Sequence, residues 1–175
     1  MKVTLFALGG LLAVVSFCAC NNNDDTDNMN GMVNTTDSAY VLNAGMGNAA
    51  EISAAQLALT NSTDSAIRHF AQMMITDHSA AQASLTAIAG KYNLTVPDTA
   101  DAMHQQLAAT LALQTGRIFD SMYIHQQVVD HEAAVQLYQT EGTAGNNTDL
   151  KNFADSTKPK LQMHLDSANA IAASY

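Results

Sequence analysis

Hydrophobic residues recur in alternating steps of three and four along four long stretches of the chain. This spacing places them on one face of an α-helix, and helices with such a face pack together in bundles. The pattern is most regular in the second stretch, where eight positions follow it without a break: Ile67, Ala71, Met74, His78, Ala81, Leu85, Ile88 and Tyr92. The other three stretches carry a similar hydrophobic stripe, and each contains one ionisable residue partway along it.

The stripes predict four helices, over about residues 38–60, 67–92, 117–140 and 148–173. Residues 98–115 form a further helical segment between the second and third helices. An extended connection precedes it, because Pro97 disfavours helix at the residue before it. The predicted fold class is therefore all-α, a four-helix bundle with an additional helical connector between helices 2 and 3.

Composition supports this fold and limits the partners. The 175 residues are enough for one domain with a real core, and hydrophobic residues make up 47% of them. Ala, Leu, Gln and Met, which favour helix, are abundant, whereas tryptophan is absent. The formal charge of −9 lacks the basic face that nucleic acid requires, so we expect no nucleic-acid partner. No phosphate loop, nucleotide motif or nucleophilic triad is present, so hydrolase and kinase functions have no support.

The N-terminal residues 1–19 have the pattern of a lipoprotein signal peptide. Lys2 supplies a positive start, and the apolar run at 3–17 is too short to span a bilayer. The pair Ala19-Cys20 resembles a lipobox, in which a small residue precedes the cysteine that is lipidated after cleavage. We therefore expect an outer-membrane lipoprotein of the cell envelope, anchored through Cys20 and facing the periplasm or the cell surface. The alternative is an ordinary secretory signal cleaved nearby.

Residues 20–37 are expected to form a disordered acidic tether. The segment contains four aspartates, no basic residue and little apolar surface, so it cannot bury enough to fold. A tether of this kind holds a domain away from the membrane to which it is anchored. The folded domain is expected to cover residues 38–175.

The ionisable residues on the four stripes are Glu51, His78, His131 and His164. Counted along the helices, all four fall in the middle of the bundle, where a buried charge is costly unless it is paired or ligates a metal. Three imidazoles and a carboxylate suit zinc or iron. Asp77 and Asp130 directly precede two of the histidines and are candidates to support the ligands through hydrogen bonds. His69, His104 and His125 fall off the stripes and are expected at the surface.

Several short motifs recur here in a recognisable order: Glu51-Ile52, Phe70-Ala71, Asp77-His78, Phe119-Asp120, Tyr123-Ile124, Asp130-His131, Phe153-Ala154 and His164-Leu165. Together they closely resemble the DUF4142 family of exported bacterial proteins of unknown function, often labelled as outer-membrane proteins. The resemblance implies a ferritin-like helical bundle and supplies no activity. Ferritin-like di-iron sites use Glu-x-x-His on two helices, but Ile75 and Leu161 stand three residues before His78 and His164.

Three functional hypotheses follow. The first is a lipid-anchored envelope protein of unknown role whose bundle binds one divalent metal through the mid-bundle His and Glu residues. The second is a structural or interaction module without metal, in which the same residues form a buried polar layer that fixes helix register. The third is a ferritin-like oxidative enzyme, which ranks last because two or three of the expected carboxylates are missing. No catalytic residue is assigned, and an enzyme is not the favoured interpretation.

Overall fold

The computed structural model describes residues 31–175, which contain five helices and no strand. The all-α fold class and the additional helical connector are confirmed. The signal peptide, Cys20 and residues 20–30 of the expected tether lie outside the described residues. The helices are α1 Thr35–Asn61, α2 Ser65–Gly90, α3 Ala102–Leu111, α4 Gly116–Ala144 and α5 Thr148–Ala172.

The four long helices form two antiparallel hairpins that pack side by side. Residues 62–64 join α1 to α2, and residues 145–147 join α4 to α5. Because α1 also packs on α4 and α2 on α5, the order around the bundle is α1, α2, α5, α4. The start of α1 meets the end of α4, where the Asp37 carboxylate accepts hydrogen bonds from the backbone N–H groups of Asn146 and Asn147. At the same end, Lys91 pairs with Asp149.

The connector at 91–115 runs the length of the bundle. Since every neighbouring pair of long helices is antiparallel, α2 and α4 lie diagonally and run in the same direction, so the chain must cross over between them. Within the crossover, α3 packs on α1 and α4. The Gln82 side chain donates to the Pro97 carbonyl at 2.6 Å, and Asn61 donates to the Gln114 carbonyl at 3.0 Å. These two bonds fix the crossover near both ends.

The hydrophobic core has two parts. On each helix that carries a buried histidine, the histidine lies in sequence between residues of one part and residues of the other. One cluster gathers the end of α1, the starts of α2 and α4, and α3. The other gathers the start of α1, the ends of α2 and α4, and the first half of α5. Their largest members are Ile67, Phe70, Met74, Leu111, Phe119, Tyr123 and Ile124 in the first cluster, and Tyr40, Val41, Leu85, Tyr138, Leu150 and Leu161 in the second.

Two predicted boundaries need correction. Helix α1 begins at Thr35, within the segment expected to be a tether, because Asn34 and Asp37 form a reciprocal capping box. Asp37 is fully buried, so the end of the expected tether belongs to the bundle. Helix α4 continues to Ala144 rather than ending near residue 140, even though Gly142 lies in this last turn. A single glycine weakens a helix. The extra turn nevertheless forms, and it contains Glu141, which is packed inside the bundle and fully buried.

Candidate metal centre

Three histidines from three different helices meet in the middle of the bundle. His78 of α2, His131 of α4 and His164 of α5 are at most 4% exposed. Each offers one nitrogen, and these three atoms lie within 4.8 Å of one another. The ring centroids are 5.3 to 5.6 Å apart. We call His78, His131 and His164 the histidine triad.

Each ring of the triad has one nitrogen bound to an acceptor. His131 Nδ1 lies 2.8 Å from the backbone carbonyl of Gln127, one turn earlier in α4. His164 Nε2 lies 3.0 Å from a carboxylate oxygen of Asp77 on α2. A carbonyl and a carboxylate only accept hydrogen bonds, so each of these nitrogens carries the proton. The other nitrogen of each neutral ring therefore presents a lone pair.

The tautomer of His78 is fixed by a chain of amides that ends on the crossover. The Pro97 carbonyl can only accept, so the Gln82 group facing it is the NH₂, at 2.6 Å. Gln82 Oε1 then accepts from Asn48 Nδ2 at 3.0 Å, and Asn48 Oδ1 accepts from His78 Nδ1 at 2.9 Å. We call Asn48, Gln82 and the Pro97 carbonyl the amide relay. It leaves the lone pair of His78 on Nε2.

The remaining three ring nitrogens, His78 Nε2, His131 Nε2 and His164 Nδ1, are buried without a hydrogen-bond partner. A buried polar atom without a partner costs roughly 1–3 kcal/mol, so three of them in one place call for an occupant. Burial also lowers the pKa of His78 to about 3 and of His131 to about 4. Burial lowers the pKa of His164 as well, although Asp77 opposes this. Neutral imidazole is the form that ligates a metal.

The structure does not group the predicted carboxylate ligand with the triad. Glu51 is buried on α1, and its Oε1 lies 3.8 Å from His131 Nδ1, the nitrogen that faces the Gln127 carbonyl. Its Oε2 has no hydrogen-bond partner. Burial, together with the nearby Asp130 charge, raises the pKa of Glu51 to about 8. Glu51 is thus a mainly neutral carboxyl group beside the triad at pH 7, and not a member of it.

The two aspartates behave differently. Asp77 precedes His78 but bonds to His164 across the bundle and also receives a bond from Lys160 at 2.8 Å. Asp130 is held away from the ring of its neighbour His131, because it bonds to His104 and Gln126. His104, expected at the surface, is only 19% exposed in its side chain and lies between Asp101 and Asp130. His69 and His125 are exposed, as expected.

A cavity of about 310 Å³ between α1 and α4 reaches the triad. Its wall includes the side chains of Asn48, Glu51, His78 and His131. Exposed Asn43 and Ala133 also line it, so its mouth lies at the protein surface. His104 and Asp130 separate it from a second cavity of about 450 Å³ beside α3, whose wall they also line.

Sequence reasoning missed Asn48, Gln82 and the Gln127 carbonyl as supports of the triad. Asn48 stands on the hydrophobic stripe of the first helix, and a buried amide on such a stripe signals a hydrogen-bonding role. Gln82 lies off the stripe and gives no such signal. The Gln127 carbonyl is a backbone group, and its contact with His131 depends only on the histidine side chain leaning back one turn.

The family of the protein is decided by its sequence. The model of the DUF4142 family, a domain of unknown function, matches residues 23–171. This protein belongs to the DUF4142 family. The match covers all five helices except the last residue of α5, and it confirms the resemblance noted in the sequence motifs. Comparison with curated proteins gave no significant match for this DUF4142 chain.

A solved structure supports the fold. The crystal structure of a DUF305 fragment from Deinococcus radiodurans superposes on this DUF4142 protein with a TM-score of 0.72. The match covers 82% of this chain and 99% of the fragment at 10% identity. The likeness shows the fold alone and confirms the expected ferritin-like, all-helical bundle. Within residues 31–175, no helix has the length and apolar character needed to cross a bilayer.

Proposed function

We propose that this DUF4142 protein binds one divalent transition-metal ion through His78 Nε2, His131 Nε2 and His164 Nδ1. The observation that carries the proposal is that the three rings converge, with one nitrogen of each within 4.8 Å of the others, and that every ring keeps one buried nitrogen without a hydrogen-bond partner. A neutral polar layer needs only the hydrogen bonds that the rings already make. It gives no reason for three adjacent rings each to keep one buried nitrogen without a partner.

Zinc is the metal that this donor set fits best, with iron as the second choice. Three imidazoles and one open position are the ligand set of several catalytic zinc sites, and imidazole also suits iron. A ring N–H that donates to an acceptor on its far side is the usual support for metal-bound histidine, and the acceptors here are the amide relay, the Gln127 carbonyl and Asp77. The triad contains no carboxylate, so it lacks the ligands of a di-iron oxidase.

Metal analysis of the full chain, purified without a polyhistidine tag, tests this proposal directly. We expect one zinc or iron per chain and a rise in melting temperature on adding zinc, because a ligand at 100 times its Kd stabilises the native state by about 2.7 kcal/mol. His131→Ala and His164→Ala should each abolish the zinc-dependent rise. His125→Ala is the matched control, since His125 is exposed on the same helix as His131.

Two results would count against the metal proposal. If His131→Ala binds zinc as tightly as the unmodified chain, the metal sits on surface histidines. If no variant responds to zinc while His131→Ala alone lowers the free energy of unfolding, the three rings form a structural polar layer and the second hypothesis stands.

We further propose that the domain is held at the outer membrane by a lipid on Cys20. The support is the signal-peptide pattern before Cys20, together with the family resemblance to exported proteins. Cys20→Ser should move the protein from the membrane fraction to the soluble fraction, whereas Cys18→Ser should leave it in the membrane fraction. If Cys20→Ser stays with the membranes and the unmodified chain carries no lipid, the anchor is not a lipid on Cys20.

A further inference from the structure

The metal centre proposed above has an unfilled coordination position. Four-coordinate zinc takes four donors in a tetrahedron, and the triad supplies three. Among the described His, Cys, Asp and Glu residues, no fourth side chain joins the group. The two carboxylates beside the triad face its protonated nitrogens: Asp77 lies 3.0 Å from His164 Nε2, and Glu51 lies 3.8 Å from His131 Nδ1.

The cavity between α1 and α4 supplies a route to that position. Two of the three ligating residues, His78 and His131, are part of its wall. Its volume of about 310 Å³ is at the lower end of the range for small-molecule sites, roughly 300–1,000 Å³. The third ligand, His164 of α5, does not line the cavity, although Leu161, one turn earlier on α5, does. A molecule entering between α1 and α4 would therefore reach the proposed centre from the side of His78 and His131.

Glu51 gives the inner end of the cavity a hydrogen-bonding group. Its side chain lines the cavity wall, is almost fully buried, and has no hydrogen-bond partner at Oε2. The cavity wall also contains the apolar side chains of Ala50, Ala134 and Leu161. A buried carboxyl oxygen without a partner is costly unless a bound molecule satisfies it.

We propose that this position takes an exogenous ligand, a small molecule with one nitrogen or oxygen donor that enters through the cavity and is hydrogen bonded by Glu51. This inference rests on the proposed metal binding. The ligand class proposed is water and small inorganic or carboxylate anions, which carry such a donor and which a cavity of about 310 Å³ accommodates. The centre is then a ligand-binding site and not a closed structural one.

Cobalt(II) in place of zinc makes the inference testable, because zinc with its filled d shell gives no visible spectrum. The full chain is loaded with cobalt(II) and titrated with sodium azide. We expect a saturable change in the visible spectrum as azide enters the coordination sphere. Glu51→Ala should keep cobalt binding within a few-fold and weaken azide binding about tenfold or more, as expected for a lost hydrogen bond of roughly 1.5 kcal/mol.

A second variant narrows the cavity without touching the metal ligands. Gly47 lines the cavity, and a Cβ placed there meets nothing within 4 Å, so Gly47→Phe directs a ring into open space. It should weaken azide binding at least tenfold and leave the azide-free cobalt spectrum unchanged. Gly90→Phe is the matched control, because Gly90 has equally open surroundings and lies outside the cavity.

The outcomes separate this inference from the proposed function. A cobalt spectrum that azide does not change, with cobalt still lost in His131→Ala, overturns the exogenous ligand and leaves the metal centre standing. Loss of cobalt in Glu51→Ala shows that Glu51 fills the fourth position, which also overturns the inference. If the unmodified chain takes up no cobalt at all, the inference and the proposed function fail together.

Discussion

At the scale of single residues, the histidine triad depends on groups that never touch the centre. His78, His131 and His164 each direct a lone pair inward because an acceptor on the far side holds the ring proton. Without those acceptors, each neutral ring can place its proton on either nitrogen, and a proton on the inner nitrogen blocks ligation. The acceptors therefore determine the fraction of molecules in which all three inner nitrogens are unprotonated and can bind a metal.

Removing the first amide of the relay should weaken the centre. In Asn48→Ala, His78 loses the acceptor that holds its proton on Nδ1, and we expect zinc affinity to fall about 10–100-fold, as for other supports of metal ligands. Isothermal titration with zinc measures the change. Asn43→Ala, an exposed asparagine on the same helix, should bind zinc like the unmodified chain. Equal zinc affinity in Asn48→Ala and Asn43→Ala would show that the amide relay does not support zinc binding.

At the scale of helices, the crossover is packed tightly against α1. A Cβ built on Gly45 comes within 2.6 Å of Val96 Cγ1 and 2.8 Å of Pro97 Cδ. The glycine thus lets the extended segment before α3 lie directly on the α1 backbone. The same segment carries the Pro97 carbonyl on which the amide relay ends. The crossover therefore packs against α1 and also supplies the last acceptor of the amide relay.

Alanine at the two glycines of α1 should have opposite effects. Gly45→Ala forces Val96 and Pro97 to move, and overpacking of this kind costs about 1–3 kcal/mol. Gly47→Ala meets no atom within 4 Å and should stabilise the helix by up to about 1 kcal/mol, because alanine is the better helix former. Urea unfolding of both variants measures whether each substitution lowers or raises the free energy of unfolding. A stabilising Gly45→Ala would contradict the tight crossover.

At the scale of the whole molecule, one end of the bundle is closed by a buried acidic pair. Glu141 near the end of α4 and Asp37 at the start of α1 are both fully buried. Burial and the neighbouring Asp37 raise the pKa of Glu141 to about 8, although Lys151 of α5 opposes the shift. Tyr40 and Tyr138 pack edge to face beside this pair. Neither side-chain oxygen of Glu141 has a hydrogen-bond partner.

This pair should make stability depend on pH. The folded protein keeps the Glu141 proton up to about pH 8, whereas the unfolded chain releases it near pH 4.5. The contribution of Glu141 to stability is therefore complete below about pH 4.5 and declines as pH rises to about 8. Glu141→Gln, which cannot ionise, should lose less stability than the unmodified chain between these values.

Urea unfolding of the unmodified chain and Glu141→Gln at several pH values measures the difference. Comparing the two chains cancels the contribution of the histidines, which changes stability in the opposite direction below about pH 6.5. Glu132→Gln, an exposed glutamate on the same helix, is the control and should follow the unmodified chain. Parallel pH profiles for Glu141→Gln and the unmodified chain would show that Glu141 is already ionised when folded.

The spacing of hydrophobic residues was enough to predict the helices and to place His78, His131 and His164 inside the bundle. Periodicity is a local property, because 3.6 residues per turn decide which side chains share a face. The axial rise was enough to place all three at similar depth. The family resemblance added the ferritin-like topology, which the likeness to the DUF305 fragment confirmed, and the DUF4142 match confirmed the family.

The tertiary structure decided what stands around those histidines. Neither the rotation of one helix about its axis nor its shift along a neighbour follows from spacing, and a change of a few ångströms decides which atoms touch. Glu51 thus lies beside His131 Nδ1 and outside the triad, and Asp77 bonds to His164 on another helix and not to adjacent His78. Gln82 contributes only because the crossover brings the Pro97 carbonyl to it. These contacts join residues 15 to 87 positions apart, so no local pattern in the sequence encodes them.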